Sequence, residues 1–260
     1  LTLQIDMYEL AVIAALTLRF SVLAATLPFL GFRGVPLLWR LALAIVVAVA
    51  VAPLVNAQHP AETVSLGWPE LIGEAVRALM AGALLAVAIG IPFAAARMAG
   101  EVTGLQIGFA IVNTIDPQGS AQVSILGQLY YLLAVMLFFA VDAHHTVMSA
   151  LVRSCTELPM FAAWDTGPAA WLLLREAGAI FSLGLQIAAP CVIVLLLVSA
   201  SMGVIVKTVP HLNVLVVGFP VRIAAGLLTL GLSLVFFKDV FTLMLQGLDG
   251  QLSRLLWAMR

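Results

Sequence analysis

Residues 71–96 read LIGEAVRALMAGALLAVAIGIPFAAA. Glu74 and Arg77 carry the only charges in the stretch, which is longer than the roughly 20 apolar residues that a membrane-crossing helix needs. Hydrocarbon offers no water to free N–H and C=O groups, so such a run is stable only as a helix or as part of a closed barrel. Barrel strands are short and alternate in polarity; this run is long and continuous. Ala78, Gly82, Ala86, Gly90 and Ala94 recur every fourth residue and so share a helix face. Ala96, Gly100, Gly104 and Gly108 continue the spacing on an adjacent register. Small side chains let helix backbones approach closely, which in lipid stands in for the missing hydrophobic drive. Because the ladder outruns one helix length, Gly82, Ala86, Gly90 and Ala94 are expected to pack against other subunits, with packing inside the chain as the alternative.

Working outward, five further apolar runs appear: Met7 to Phe29, Leu37 to Val55, Val123 to Val152, Ala169 to Val206 and Leu212 to Leu245. The fold class expected is an all-α integral membrane-type protein. Pro190 falls inside the fifth run of the chain, which is then either one long kinked helix or a hairpin. Gly218-Phe219-Pro220 interrupts the sixth. Acidic Asp6 and Glu9 open the first run where a secretory signal would place basic residues, so it reads as a retained membrane segment. Arg33 and Arg40 put the first loop in the cytoplasm by the positive-inside rule, but Arg153, Lys207 and Arg254 fall on both sides of the resulting scheme, and the topology stays open.

The whole chain agrees with its decisive run. Of 260 residues, 63% are hydrophobic and 10% charged, and the mean hydropathy is +1.14. Soluble domains are about half apolar and about a quarter charged. A soluble cytosolic enzyme and a disordered chain are excluded. With 12 Lys+Arg against 13 Asp+Glu, no basic patch exists for nucleic acid. Cys155 and Cys191 lack the spacing of a zinc or disulfide framework and read as small buried residues.

Charges inside the apolar runs are the next feature. Arg19, Glu74, Arg77, Asp142, Arg175, Glu176 and Arg222 lie within them or at their edges. Each costs about 2.5–3.5 kcal/mol at mid-bilayer, so they are expected to face protein or water. Glu74 and Arg77 are three apart and read as an ion pair, with contact to partner subunits as the sharper alternative.

Residues 97–122 are Gly-rich, with a short apolar centre from Gly108 to Val112 and a turn at Asp116-Pro117. Irregular apolar backbone at membrane depth survives only inside protein or beside a water-filled cavity. A re-entrant loop that blocks a pore and an ordinary interhelical loop both fit.

Reactive chemistry is sparse. Asp142 and His145 share a helix face, but a usable metal site needs a third ligand, so the group reads as a hydrogen-bonded helix end. No G-x-S-x-G or phosphate-binding G-x-x-x-x-G-K-[ST] pattern occurs. No catalytic residue, metal or cofactor is expected.

Five motifs carry a resemblance: Asp116-Pro117-Gln118; Ile125-Leu126-Gly127-Gln128; Phe138-Phe139-Ala140-Val141-Asp142-Ala143-His144-His145; Lys207-Thr208-Val209-Pro210-His211-Leu212-Asn213-Val214; and Gly218-Phe219-Pro220. In order and combination they resemble the FliR family of flagellar biosynthetic proteins, over nearly the whole of residues 1–260. Ala143 departs from the glycine expected there. The resemblance implies a non-enzymatic structural and gating subunit of the type III export gate. It implies helical hairpins like a fusion of FliP and FliQ, wound with those proteins into a pseudo-helical hetero-oligomer. FlhB and FlhA are further implied partners, unfolded flagellar subunits the cargo, and the bacterial inner membrane at the flagellar basal body, extending periplasmically, the location. Gly108, Phe109, Ala110, Ile111, Val112 and Asn113 then match a pore plug, with Gly104, Asp116 and Pro117 at its hinge and turn. Glu74, Arg77, Asp142, His144, His145 and Arg222 become buried polar or partner contacts. A virulence-system homologue and a stand-alone secondary transporter are the alternative readings.

Overall fold

The computed structural model describes residues 7–27, 36–58, 67–109, 124–158, 166–208 and 214–259. Seven helices occur among them, and no strand. They are α1 (Met7–Thr26), α2 (Leu37–Gln58), α3 (Trp68–Ile107), α4 (Ile125–Ala140), α5 (Ala143–Glu157), α6 (Gly167–Thr208) and α7 (Val214–Ala258). The expected all-α, membrane-type class holds: five of the helices are long and apolar enough to cross a bilayer.

Three boundaries differ from the sequence reading. Residues 97–107, expected in a loop, complete α3. Gly218-Phe219-Pro220, read as an interruption, lies inside the continuous α7, whereas Pro190 lies inside a continuous α6, the long-helix alternative of the two left open for that run. Pro53 and Pro92 do likewise in α2 and α3. A proline removes one hydrogen bond, but apolar surroundings give the chain no better alternative than to remain helical. The run from Val123 to Val152, read as one segment, breaks at Val141–Asp142, where Asp142 takes a left-handed φ of 57°.

The chain divides into two compact units. The first comprises residues 1–91, 142–177 and 246–260, and the second residues 92–141 and 178–245. In the first unit α1 packs on α2 and on the N-terminal half of α3. Gly82 makes the second contact possible: a methyl group on it would stand 2.5 Å from the Arg19 carbonyl oxygen. Ala78 and Ala86 are buried on the same ladder, whereas Gly90 is half-buried with nothing among the described residues within 4 Å of an added methyl, and Ala94 is exposed. The ladder therefore splits. At Gly82 the chain's own α1 occupies the face, and towards Ala94 the face is open.

Polar contacts tie this unit together across long sequence distances. The Arg19 guanidinium is wholly buried, and its Nη1 donates to the Ser154 carbonyl of α5 at 2.7 Å. Its Nε and Nη2 have no hydrogen-bond acceptor among the described residues. Glu74, 2% exposed, pairs with Arg77 at 3.3 Å, as the spacing predicts. Arg153 of α5 pairs with Asp249 and donates to Ser253 at 3.0 Å, fixing α5 to the end of α7. Of the remaining intramembrane charges, Glu176 lies 4.0 Å from Arg254, Arg175 is exposed and Arg222 half-buried.

Replacing Gly82 by Leu is expected to push α1 off α3, since the clash is with backbone rather than with a movable side chain. Overpacking of this kind costs about 1–3 kcal/mol. In detergent the variant should lose thermal stability and become sensitive to protease within residues 7–26. Wild-type melting and protection would show that the two helices tolerate separation.

Candidate functional site

The second unit is built around an aromatic cluster. Phe93 of α3 meets Phe138 of α4 edge-on at 5.4 Å and Phe241 of α7 at 5.8 Å. Tyr130 of α4 meets Phe237 of α7 at 5.2 Å, and Phe237 stacks on Phe241 at 5.5 Å. Such edge-to-face pairs add to the burial of the rings themselves. Two elements, α4 and α7, are thereby fixed around the C-terminal half of α3. Gly184 of α6 joins them, an added methyl there lying 3.1 Å from the Ala95 carbonyl oxygen, and Gly226 of α7 fits against the Ile107 side chain.

That scaffold presents the two ends of the segment between α3 and α4. Gly108 ends α3 with a φ of 104°, which an L side chain rarely adopts. The Gly108 N–H bonds the Leu105 carbonyl at 3.2 Å, and the Phe109 N–H bonds the Gly104 carbonyl at 3.1 Å. This pair of bonds is a Schellman stop, and it satisfies carbonyls that a helix end otherwise leaves open. On the returning side, Ser124 caps α4 by accepting a hydrogen bond from the Gly127 N–H at 3.0 Å. The two ends are pressed together. A methyl on Gly100 would stand 2.7 Å from the Gly127 Cα and collide with the Leu126 carbonyl, and one on Gly104 would lie 3.3 Å from the Ser124 Oγ. Gly104, expected at a hinge, is thus buried in the last turn of α3, where its missing side chain admits the start of α4. Gly108 and Phe109 are half-buried at the segment's start. Ala110, Ile111, Val112, Asn113, Asp116 and Pro117 lie outside the described residues.

The Asp142, His144 and His145 group also differs from its sequence reading. Asp142 precedes α5 but its side chain makes no capping hydrogen bond. Its carboxylate faces both imidazoles instead, with Oδ1 at 3.9 Å from the His144 Nδ1 and 4.0 Å from the His145 Nδ1. His144, which helical spacing did not place on the face of Asp142 and His145, belongs to the cluster. The signal it needed is the left-handed turn at Asp142, which takes that residue off the helical wheel.

Comparison with known proteins follows the same chain length. The family model described as bacterial export proteins, family 1, matches residues 10–248. A flagellar biosynthetic protein FliR of Escherichia coli K12 is 32% identical, over 81% of this chain and 79% of that protein. One of Bacillus subtilis 168 is 30% identical over 91% and 92%. One of Pectobacterium carotovorum is 30% identical over 87% and 88%.

Two substitutions probe the paired ends. Gly108→Ala is expected to weaken the helix stop by about 1 kcal/mol, through strain at positive φ. Gly100→Val should separate α4 from α3 and cost more. Cysteines placed at Gly104 and Ser124 in a cysteine-free background should crosslink readily, and the Gly100→Val change should abolish that crosslink. Crosslinking unaffected by valine would remove the close approach from the account.

Proposed function

This chain belongs to the bacterial export proteins of family 1, and from that premise we propose that it is the FliR subunit of a flagellar protein-export gate. It is a component of the flagellar export apparatus embedded in a membrane, in a family of structural rather than enzymatic proteins. Its complex is one with other export proteins. In our reading those are FliP and FliQ, with FlhB against the core and FlhA below it. Together they line a pore in the bacterial inner membrane at the flagellar basal body, reaching towards the periplasm. Unfolded flagellar subunits pass through it.

One observation carries this reading. Helices α6 and α7, with 42 and 45 residues, are about 60 Å long at 1.5 Å per residue, twice the roughly 30 Å of hydrocarbon. Yet in their most apolar windows only 17% and 22% of residues are buried inside the chain, against 61% for α3. Lipid covers one bilayer thickness at most. The remaining apolar surface calls for other protein. Exposed Trp171, Leu174, Phe181, Leu228 and Leu232 stand on it.

The segment between α3 and α4 is the gate in this reading. Gly108, Phe109, Ala110, Ile111, Val112 and Asn113 form an apolar plug, with Asp116 and Pro117 at its turn. The scaffold of α3 and α4 holds the two ends of this segment close together. Glu74 and Arg77 form a polar pair within the chain, and Asp142, His144, His145 and Arg222 supply polar contacts for the partners.

The first test is mass. Purified from membranes in detergent, the chain is expected in a large hetero-oligomer with FliP and FliQ; a stable monomer overturns the proposal. Gly90→Leu separates this from internal packing, since nothing among the described residues lies within 4 Å of the added carbon. The variant should melt as wild type yet recover fewer complexes, and full recovery would free that face of any partner role. Deleting Gly108 to Asn113 should leave assembly intact and raise the ion conductance of the membrane. Unchanged conductance would dismiss the plug.

A further inference from the structure

We propose that Asp142, His144 and His145 bind a borderline divalent metal ion, of the kind Zn²⁺, Ni²⁺ or Cu²⁺ represents. One ligand atom from each of the three residues lies within 4.8 Å of the others. The two contacts to the carboxylate, at 3.9 and 4.0 Å, are longer than hydrogen bonds. Metal bonds of about 2.1 Å in tetrahedral array set ligands about 3.4 Å apart, so small rotations of the three side chains close the site.

Two structural facts give the cluster its form. The first is the left-handed backbone at Asp142, which turns a residue that would otherwise cap α5 towards the imidazoles instead. The second is the pairing of the rings, whose centroids lie 4.2 Å apart at 34°. Adjacent helical residues ordinarily point about 100° apart. Here both rings come to one side, and both present Nδ1 to the same carboxylate oxygen. The side chains of Asp142 and His145 are 72% and 76% exposed and that of His144 is 32% exposed, so a hydrated ion reaches all three.

The donor set decides the chemistry. Two imidazoles and one carboxylate suit Zn²⁺, Cu²⁺ and Ni²⁺, whereas Mg²⁺ and Ca²⁺ prefer oxygen ligands. Three protein ligands leave at least one position for water or for a donor from a partner. A bound ion joins Asp142 to the first turn of α5 and locks the turn that precedes that helix.

The test uses the full chain, purified without a polyhistidine tag, with Cu²⁺ alone as the probe. Titration should show one tight Cu²⁺ per chain, and its electron paramagnetic resonance spectrum should carry coupling to nitrogen. Zn²⁺ bound beforehand should compete with Cu²⁺ and be displaced by it, and Mg²⁺ should not compete. His144→Ala with His145→Ala should abolish the tight site. Asp142→Asn, which keeps a residue tolerant of left-handed backbone, should weaken it at least about tenfold while the chain melts as wild type. His59→Ala with His211→Ala should leave it unchanged. Absence of nitrogen coupling in the wild type, or binding that survives the double histidine change, overturns the proposal. So does binding that follows His59 or His211.

Discussion

An apolar helix about twice as long as the bilayer is thick cannot be satisfied by lipid alone, and this mismatch governs the molecule. In water the exposed faces of α6 and α7 would drive aggregation; in a bilayer half of each helix would protrude. Neither solvent suits the whole length. The chain spends little of its own surface on them: the most apolar window of α3 is 61% buried, against 17% and 22% for those of α6 and α7. Family membership and helix length point the same way, to a polypeptide completed by its neighbours.

Inside each unit the opposite economy holds. Contacts are made at backbone distance, through glycines rather than large side chains. Gly82 admits α1, Gly100 admits the start of α4, and Gly184 and Gly226 admit α6 and the flank of Ile107. Close backbone approach gains dispersion contacts over many atoms at once. Around these seams large rings fill the remaining space. The buried Arg19 is the exception, a charge held by one carbonyl in an otherwise apolar setting. Intramembrane charge of this kind persists where it fixes one element against another, here α1 against α5.

Much of this was legible in the residues. Continuous apolar runs gave the helices and the membrane class, and the Glu74–Arg77 pair followed from spacing alone. Less legible were the interruptions. Gly100 and Gly104 looked like loop residues because glycine disfavours helix in water; packing against Leu126 and Ser124 overrides that preference. Gly218-Phe219-Pro220 reads as an interruption, and Pro190 leaves a long helix and a hairpin both open; in apolar surroundings the backbone at both has no better partner than the helix itself. Helical spacing pairs Asp142 with His145 and misses His144, because Asp142 stands outside the helix with a left-handed backbone. Contacts such as Arg153 with Asp249 join residues 96 apart, and no local pattern announces them.

The first unit is discontinuous, drawing on residues 1–91, 142–177 and 246–260. Domains tend to fold in order as the polypeptide leaves the ribosome, but this one must wait. The acceptors for Arg153, Asp249 and Ser253, follow it by 96 and 100 residues. Until then α5 lacks its anchor, while α1 and α3 have long since been threaded into place. Nascent molecules thus pass through a stage with half a bundle assembled. Any factor that attends their insertion must shield that half from premature association until α7 has been made.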